Sequence, residues 1–475
     1  MRKKSLASAG RFHSYAVRFI GAFTIVALAL FCTSRASAYT PNIGGVYALG
    51  NAQNPDLPEA ILSNPAVDGI ALRFFWDQLE PSEAAYDWSL MDRQVDSARA
   101  HGKKVSLSVT PGVHTPAWVY AAGAAPFTYT WNRPFGFAPC SQQRIPIPWD
   151  SVYLAKWSAF VRAMGRRYAS NPAVVMVKIT GINSGAAEMN LPHGGGMSPM
   201  NCPGGSDDDA NWRRVGYSKD KIKAAFQASG DAFAAAFPNQ ALAVGMTPVG
   251  FPLLDNEGAN GGGYGQGGGG FRQGGGGYGQ GGGGYGQGGG GYGQGGGGFG
   301  QGGGGFGQGG GGFGQGGGGF GGGGGMFGMR RFGQGGGGQG GGGGFGRGGL
   351  RGDIRLSQEL MEEGASRYGD RYVLMTGGLS AFNAWTPRGD LAGRVKFGDQ
   401  MLSSVSHDPQ CHMNRGMTPC DPHEVLQAAV NRGIDSGALF LEIYTDDIQN
   451  PRLQDILQQG HARLAPGGSR PAPAF

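Results

Sequence analysis

One glutamate, Glu442, stands where a carboxylate can do chemistry. The run Ala438-Leu439-Phe440-Leu441 is wholly apolar, is preceded by Gly437, and leads straight into Glu442. Such a run reads as a strand buried on both faces, as in a parallel sheet with helices outside. A carboxylate at its end is costly to bury unless something pairs or uses it. Glu188 follows a comparable run, Val174 to Ile179, across the segment Thr180-Gly181-Ile182-Asn183-Ser184-Gly185-Ala186-Ala187. In a barrel of alternating strands and helices, the C-terminal strand ends carry the chemistry. Glu442 is therefore a candidate catalytic carboxylate, and the barrel before it is expected to hold a second. Arg73, near the end of another such run, is the candidate ion-pair partner for Glu442 inside the barrel.

The elements that must position these residues alternate regularly. Strands are expected at Ile43 to Leu49, Val67 to Trp76, Val105 to Val109, Val174 to Ile179, Ala241 to Met246, Tyr372 to Thr376 and Ala438 to Ile443. Between them lie helical patterns, the clearest with Tyr153, Trp157, Phe160, Val161, Met164 and Tyr168 on one face. Other helices are expected around Leu57 to Leu62, from Trp88 to Gly102, from Ser218 to Phe237, from Leu356 to Tyr368, from His423 to Arg432 and over 451–463. This rhythm predicts an α/β chain folded as a (β/α)8 TIM barrel. Seven strands are evident, and the eighth is either short or within 390–420. The barrel is expected in two parts, 39–257 and 352–465, with a tail from 466 to 475.

Between the two parts the composition changes. Over 258–351 aromatics recur every seven residues, from Tyr264 and Phe271 to Phe327, mostly in the unit aromatic-Gly-Gln-Gly-Gly-Gly-Gly. Glycine is a poor helix former with no side chain to pack, so this is no coiled-coil heptad. One aromatic per seven residues cannot offset the ordering entropy of the glycines, and a disordered tether is expected. It is either a tether alone or a sticky segment that binds wall polymers or copies of itself.

The first 38 residues read as a targeting leader: Arg2, Lys3, Lys4, Arg11 and Arg18 precede the apolar stretch Phe19 to Cys32, and Ala36-Ser37-Ala38 fits cleavage before Tyr39. An exported protein, periplasmic or secreted, is expected. The apolar stretch is short for a membrane span, so no stable membrane insertion is expected after cleavage. The leader holds six basic residues and no acid, which leaves 33 basic against 33 acidic side chains in the rest. The basic pI therefore gives no argument for nucleic acid as a partner. Four cysteines follow the leader, and the cheapest pairing is Cys140–Cys202 with Cys411–Cys420. His412 and His423 match no common zinc spacing, and neither metal nor cofactor is expected.

The polar and aromatic residues at the strand ends carry a resemblance. Arg73 with Glu80-Pro81 and Tyr86-Asp87-Trp88, then Gly112, Thr115-Pro116 and Trp118, then Glu188 and finally Glu442 resemble clan A glycoside hydrolases. The resemblance implies a glycosidase acting on a carbohydrate substrate, with an acid/base glutamate after strand four and a nucleophile glutamate ending strand seven. Those roles fall to Glu188 and Glu442, with retention of configuration. One carboxylate sits beneath the anomeric carbon while the other hands a proton to the leaving oxygen. Substrate contacts are expected from Arg73, His114, Trp118, Asn183, Trp385 and Tyr444, although each aromatic and His114 has packing as its alternative. The clan usually carries Asn immediately before the strand-four glutamate. Here Ala187 stands there, and Asn183 lies five residues before Glu188. That departure supports the alternative of an inactive carbohydrate-binding or surface-adhesion barrel. Asp446 and Asp447 are expected to be solvated or to cap the last helix.

Overall fold

The computed structural model describes residues 42–50, 56–132, 137–193, 202, 207–247, 249–254, 352–384, 391, 393–406 and 421–465. The leader, the glycine-rich segment 258–351, Trp385, Cys411, Cys420 and the tail lie outside the described residues.

Eight parallel strands close into a barrel: β1 (Gly45–Leu49), β2 (Gly69–Phe75), β3 (Lys104–Thr110), β6 (Val174–Lys178), β7 (Ala241–Gly245), β8 (Tyr372–Leu379), β9 (Lys396–Met401) and β10 (Phe440–Tyr444). Hydrogen-bonded neighbours run β1-β10-β9-β8-β7-β6-β3-β2 around the ring. The antiparallel hairpin of β4 (Pro126–Thr130) and β5 (Gln142–Pro146) stands apart, in what reads from sequence as a long loop. The (β/α)8 expectation is met, and β9 is the strand missing from the seven, within 390–420 as one of the two alternatives has it. Gly398, Asp399 and Gln400 interrupt its apolar character, so no hydrophobic run announces it. It makes β10 the eighth barrel strand. Glu442 therefore ends strand eight rather than strand seven.

The helices form where the apolar spacing predicts. In Ser151–Tyr168 the Asp150 carboxylate accepts from the Tyr153 N–H and caps the first turn. The buried face holds Tyr153, Trp157, Phe160, Val161, Met164 and Tyr168. Each fully buried side chain of this size contributes roughly 2–3 kcal/mol. Trp76, at the end of β2, packs its ring 5.0 Å from that of Trp157 and so ties this helix to the barrel.

Inside the barrel a second core contains Tyr47, Met176, Ala241, Ala243, Val373, Met375 and Phe440. The Tyr47 and Phe440 rings, 5.5 Å apart, fill space left open by Gly69 and Gly398. Beyond this apolar floor, toward the strand C-termini, the inward positions become polar: Lys178, Gln400 and Glu442.

The two parts of the barrel join directly. Leu242 to Gly245 pair in register with Tyr372 to Met375. The Asp353 N–H donates to the Phe251 carbonyl at 2.9 Å, so the chain ends flanking the glycine-rich segment meet. The Cys140–Cys202 disulfide is present, as the cheapest pairing predicts. Among the described residues no helix is long and apolar enough to cross a membrane.

Candidate active site

Glu442 is the last inward carboxylate of β10 and is fully buried. Its partner is Lys178, the last residue of β6, whose side chain is 5% exposed. Nζ lies 2.8 Å from Oε1 and 2.9 Å from Oε2. Only the contact to Oε2 has hydrogen-bond geometry, which leaves Oε1 held by charge alone. Burial pushes the Lys178 ammonium below the usual lysine range, and the Glu442 carboxylate opposes that shift. Glu442 is therefore paired, but with Lys178 and not with Arg73 as expected. The Arg73 Nη2 instead donates to the Gln400 Oε1, an uncharged amide.

Glu188 reaches the same mouth on a braced loop. Asn183 accepts from the Gly181 N–H at 2.7 Å and donates to the carbonyls of Ala186 and Glu188 at 3.0 and 2.9 Å. The next residue, Met189, is buried and donates its N–H to the Gly245 carbonyl at 2.8 Å, which fixes the loop against the end of β7. A cleft lined by Lys178, Ala187, Glu188, Gly245, Met375, Thr376 and Gln400 opens here. A Cβ on residue 377 would lie 3.1 Å from Oε1 of Glu188, so Gly377 leaves room for that carboxylate. Glu188, Glu442 and Arg73 all act electrostatically on both Lys178 and Tyr444. The phenol of Tyr444 is half-buried, and burial raises its pKa most.

The other expected contacts are engaged with the protein itself. The Trp118 indole N–H donates to the Glu80 carbonyl at 2.9 Å, and its ring meets Trp76 edge-on. His114 stacks on Phe75 with centroids 3.6 Å apart and lies 3.4 Å from the Asp77 carboxylate. The Asn183 side chain is 97% buried by its loop-bracing role, so it shapes the site through Glu188. Asp447 is neither solvated nor a cap of the last helix. It is buried and accepts from the N–H groups of Val405 and Ser406 and from the Ser404 hydroxyl, because the loop after β9 folds over it.

Two site groups, Lys178 and Gln400, escape the sequence reading, as does the buried Asp399 beside Gln400 on the strand. Lys178 has the same signature as Glu442, a single charge ending an apolar strand, and that signal was available. Gln400 and Asp399 sit on β9, whose pattern is broken. The Asp399 carboxyl is fully buried and accepts from the Thr376 hydroxyl at 2.6 Å, and burial pushes its pKa up to about 7. Gln400 ends strand seven, where the clan pattern places its nucleophile. Glu442 is its register partner, one strand further on. Among the described residues no cluster of three metal-ligating side chains occurs.

Residues 63–183 match the glycoside hydrolase family 42 model, described as β-galactosidase. This is about a quarter of the chain; it includes Arg73, His114, Trp118, Lys178 and Asn183 and stops short of Glu188 and Glu442. A β-galactosidase from the psychrophilic Marinomonas ef1 is 14% identical with TM-score 0.28, covering 42% of this chain and 37% of that one. A β-galactosidase from Rahnella sp. R3 is 17% identical with TM-score 0.29, covering 45% and 36%. Endo-glycoceramidase II from Rhodococcus sp. is 17% identical with TM-score 0.27, covering 43% and 48%. The chain thus spans about a third to a half of the length of these solved structures. No curated protein sequence matches. The chain is a (β/α)8 barrel protein similar to clan A glycoside hydrolases, and residues 63–183 carry the likeness in sequence.

Proposed function

We propose that this barrel is a glycosidase cleaving O-glycosidic bonds by a retaining mechanism, with Glu188 as acid/base and Glu442 as nucleophile. The observation that carries the reading is that Lys178, in contact with Glu442, lines the same cleft as Glu188 at one barrel mouth. The family match over 63–183 supports a glycoside substrate, with β-galactosides the first to try. Glu188 lines the cleft and can reach a leaving oxygen. Glu442 has no accessible surface at rest, so substrate must draw the Lys178 ammonium onto a sugar hydroxyl and bare one carboxylate oxygen. The leader over 1–38 and the disulfide both suit an exported protein.

The test is Glu442→Gln and Glu188→Gln, assayed on aryl glycosides and polysaccharides beside a thermal-unfolding control. General acid–base and nucleophilic roles predict losses of roughly 10²- to 10⁴-fold. Unchanged turnover by a folded variant, on a substrate that the unaltered chain cleaves, removes that residue from the mechanism. Release of the inverted anomer, read by proton NMR, would sink retention.

A second reading has its own observation. Gln400, an amide, ends strand seven, and Ala187 precedes Glu188. Both fit an inactive barrel that binds carbohydrate, with the glycine-rich segment making wall contacts or self-associating. Glycan binding by calorimetry, without turnover of any substrate, would favour it.

A further inference from the structure

Gln400 is turned one way round by its neighbour. The Arg73 Nη2 donates to the Gln400 Oε1. A guanidinium has donors only, so the amide must offer it oxygen, and the amide nitrogen is left facing elsewhere. That nitrogen faces the cleft. A Cβ on residue 377 would lie 3.7 Å from Nε2 of Gln400 and 3.1 Å from Oε1 of Glu188, so the amide and the carboxyl look onto one spot. Gln400 and Glu188 both line the cleft that opens there. The Gln400 oxygen is engaged, while Nε2 donates to no described residue. The cleft therefore presents an oriented, uncharged donor beside a carboxyl group.

A hydroxyl suits this pair of groups. It can accept from Nε2 and also donate to a neighbouring carboxylate, an ability that no anion has. We propose that Gln400 is the specificity-determining residue of the cleft, its Nε2 donating to one hydroxyl of a neutral sugar ring. Arg73 is the positioning residue, which acts through Gln400 by fixing the amide's orientation. The proposal rests on the glycosidase reading for its substrate, and the experiment separates the two.

The full chain is assayed on an aryl β-galactoside and on its monodeoxy analogues, one ring hydroxyl removed at a time. At one ring position, loss of the hydroxyl should lower kcat/KM roughly tenfold or more, because Nε2 is then left without an acceptor. Gln400→Glu keeps the shape and the oxygen that Arg73 holds but removes the donor. It should lower turnover of the parent sugar by a similar factor and erase the discrimination at that position. Arg73→Met, which frees the amide to turn, should do the same, and should add little to Gln400→Met. Arg73→Lys, also a donor only, should restore part of the loss. A purely structural role would lower turnover without touching the ratio between parent and deoxy sugars.

Indifference of the unaltered chain to every single hydroxyl overturns the proposal, whether or not any variant folds. Discrimination that survives in folded Gln400→Glu overturns it too, as does faster cleavage by that variant; either result leaves a glycosidase standing. If the unaltered chain cleaves nothing, the glycosidase reading fails and calorimetry with galactose-containing oligosaccharides decides. Binding weakened roughly tenfold in Gln400→Glu upholds the donor role, and unchanged or absent binding overturns it.

Discussion

Lys178 and Glu442 form an ion pair across the interior of the barrel, between residues 264 positions apart in sequence. Their strands, β6 and β10, stand opposite one another in the ring of eight, so the pair is a strut through the lumen. It sits above an apolar floor and beside the only cleft that Glu188 lines among those described. A buried pair returns little net stability against its desolvation, yet losing one partner leaves an uncompensated charge. The strut therefore matters most when it is broken on one side.

Lys178→Met and Glu442→Gln should each destabilise the barrel by about 3–5 kcal/mol. The double replacement Lys178→Met with Glu442→Gln should cost much less than the sum, because neither charge is stranded. Denaturant unfolding of the four proteins checks this. Additive losses would mean that the two side chains do not depend on each other.

Asp399 should make stability pH-dependent. Its folded pKa of about 7 lies above the ordinary 3.8, because burial outweighs the Thr376 hydrogen bond. Below pH 4 both folded and unfolded states hold the proton and no penalty exists. As pH rises from 4 to 7 the unfolded chain releases it first, so stability falls by roughly 4 kcal/mol and then levels off. Asp399→Asn keeps an acceptor for Thr376 and should abolish that loss, making the variant the more stable protein above pH 7. Parallel wild-type and variant stability curves across this range would contradict the assignment.

Two glycines near the mouth should respond differently to alanine. Gly112 has φ of +66°, and a Cβ there would fall 2.4 Å from the carbonyl oxygens of Asn183 and Ser184. Gly112→Ala should lower stability by about 2 kcal/mol or more, since backbone must move and φ is strained. At Gly377 the new methyl would meet the flexible end of Glu188 at 3.1 Å. Gly377→Ala should shift the Glu188 carboxylate and lower turnover several-fold at a nearly unchanged melting temperature. A thermal scan and a kcat/KM measurement on each variant distinguish the two outcomes.

Deleting residues 260–349 should leave the barrel folded. β7 and β8 pair without help from the segment, and the Phe251–Asp353 hydrogen bond already brings the flanking chain together. Shortening a connection also lowers its closure entropy, though only slowly with length. An unchanged or slightly raised melting temperature is expected, with substrate turnover retained. A large fall would assign the segment a share of the core.

How much of this was legible in the sequence varies with the kind of signal. Apolar periodicity located seven of the eight barrel strands and the helix Ser151–Tyr168 face by face, because burial on both sides of a parallel sheet leaves a continuous hydrophobic run. The same logic singled out Glu442, as a charge that such a strand would carry only for a reason. It failed at β9, where Gly398 makes room for the Phe440 ring and Asp399 and Gln400 are buried polar groups. Those residues look like a loop when read along the chain.

What the sequence determined by itself was the alternation of strands and helices, and hence a closed parallel barrel with Glu188 and Glu442 at strand ends. The partners were decided only by tertiary structure. Lys178 rather than Arg73 neutralises Glu442, Asn183 braces a loop, and Gln400 ends strand seven. Periodicity records which face of an element is dry, a local property. Which charge meets which depends on strand order and register around a closed ring, and those emerge only when the whole barrel is assembled.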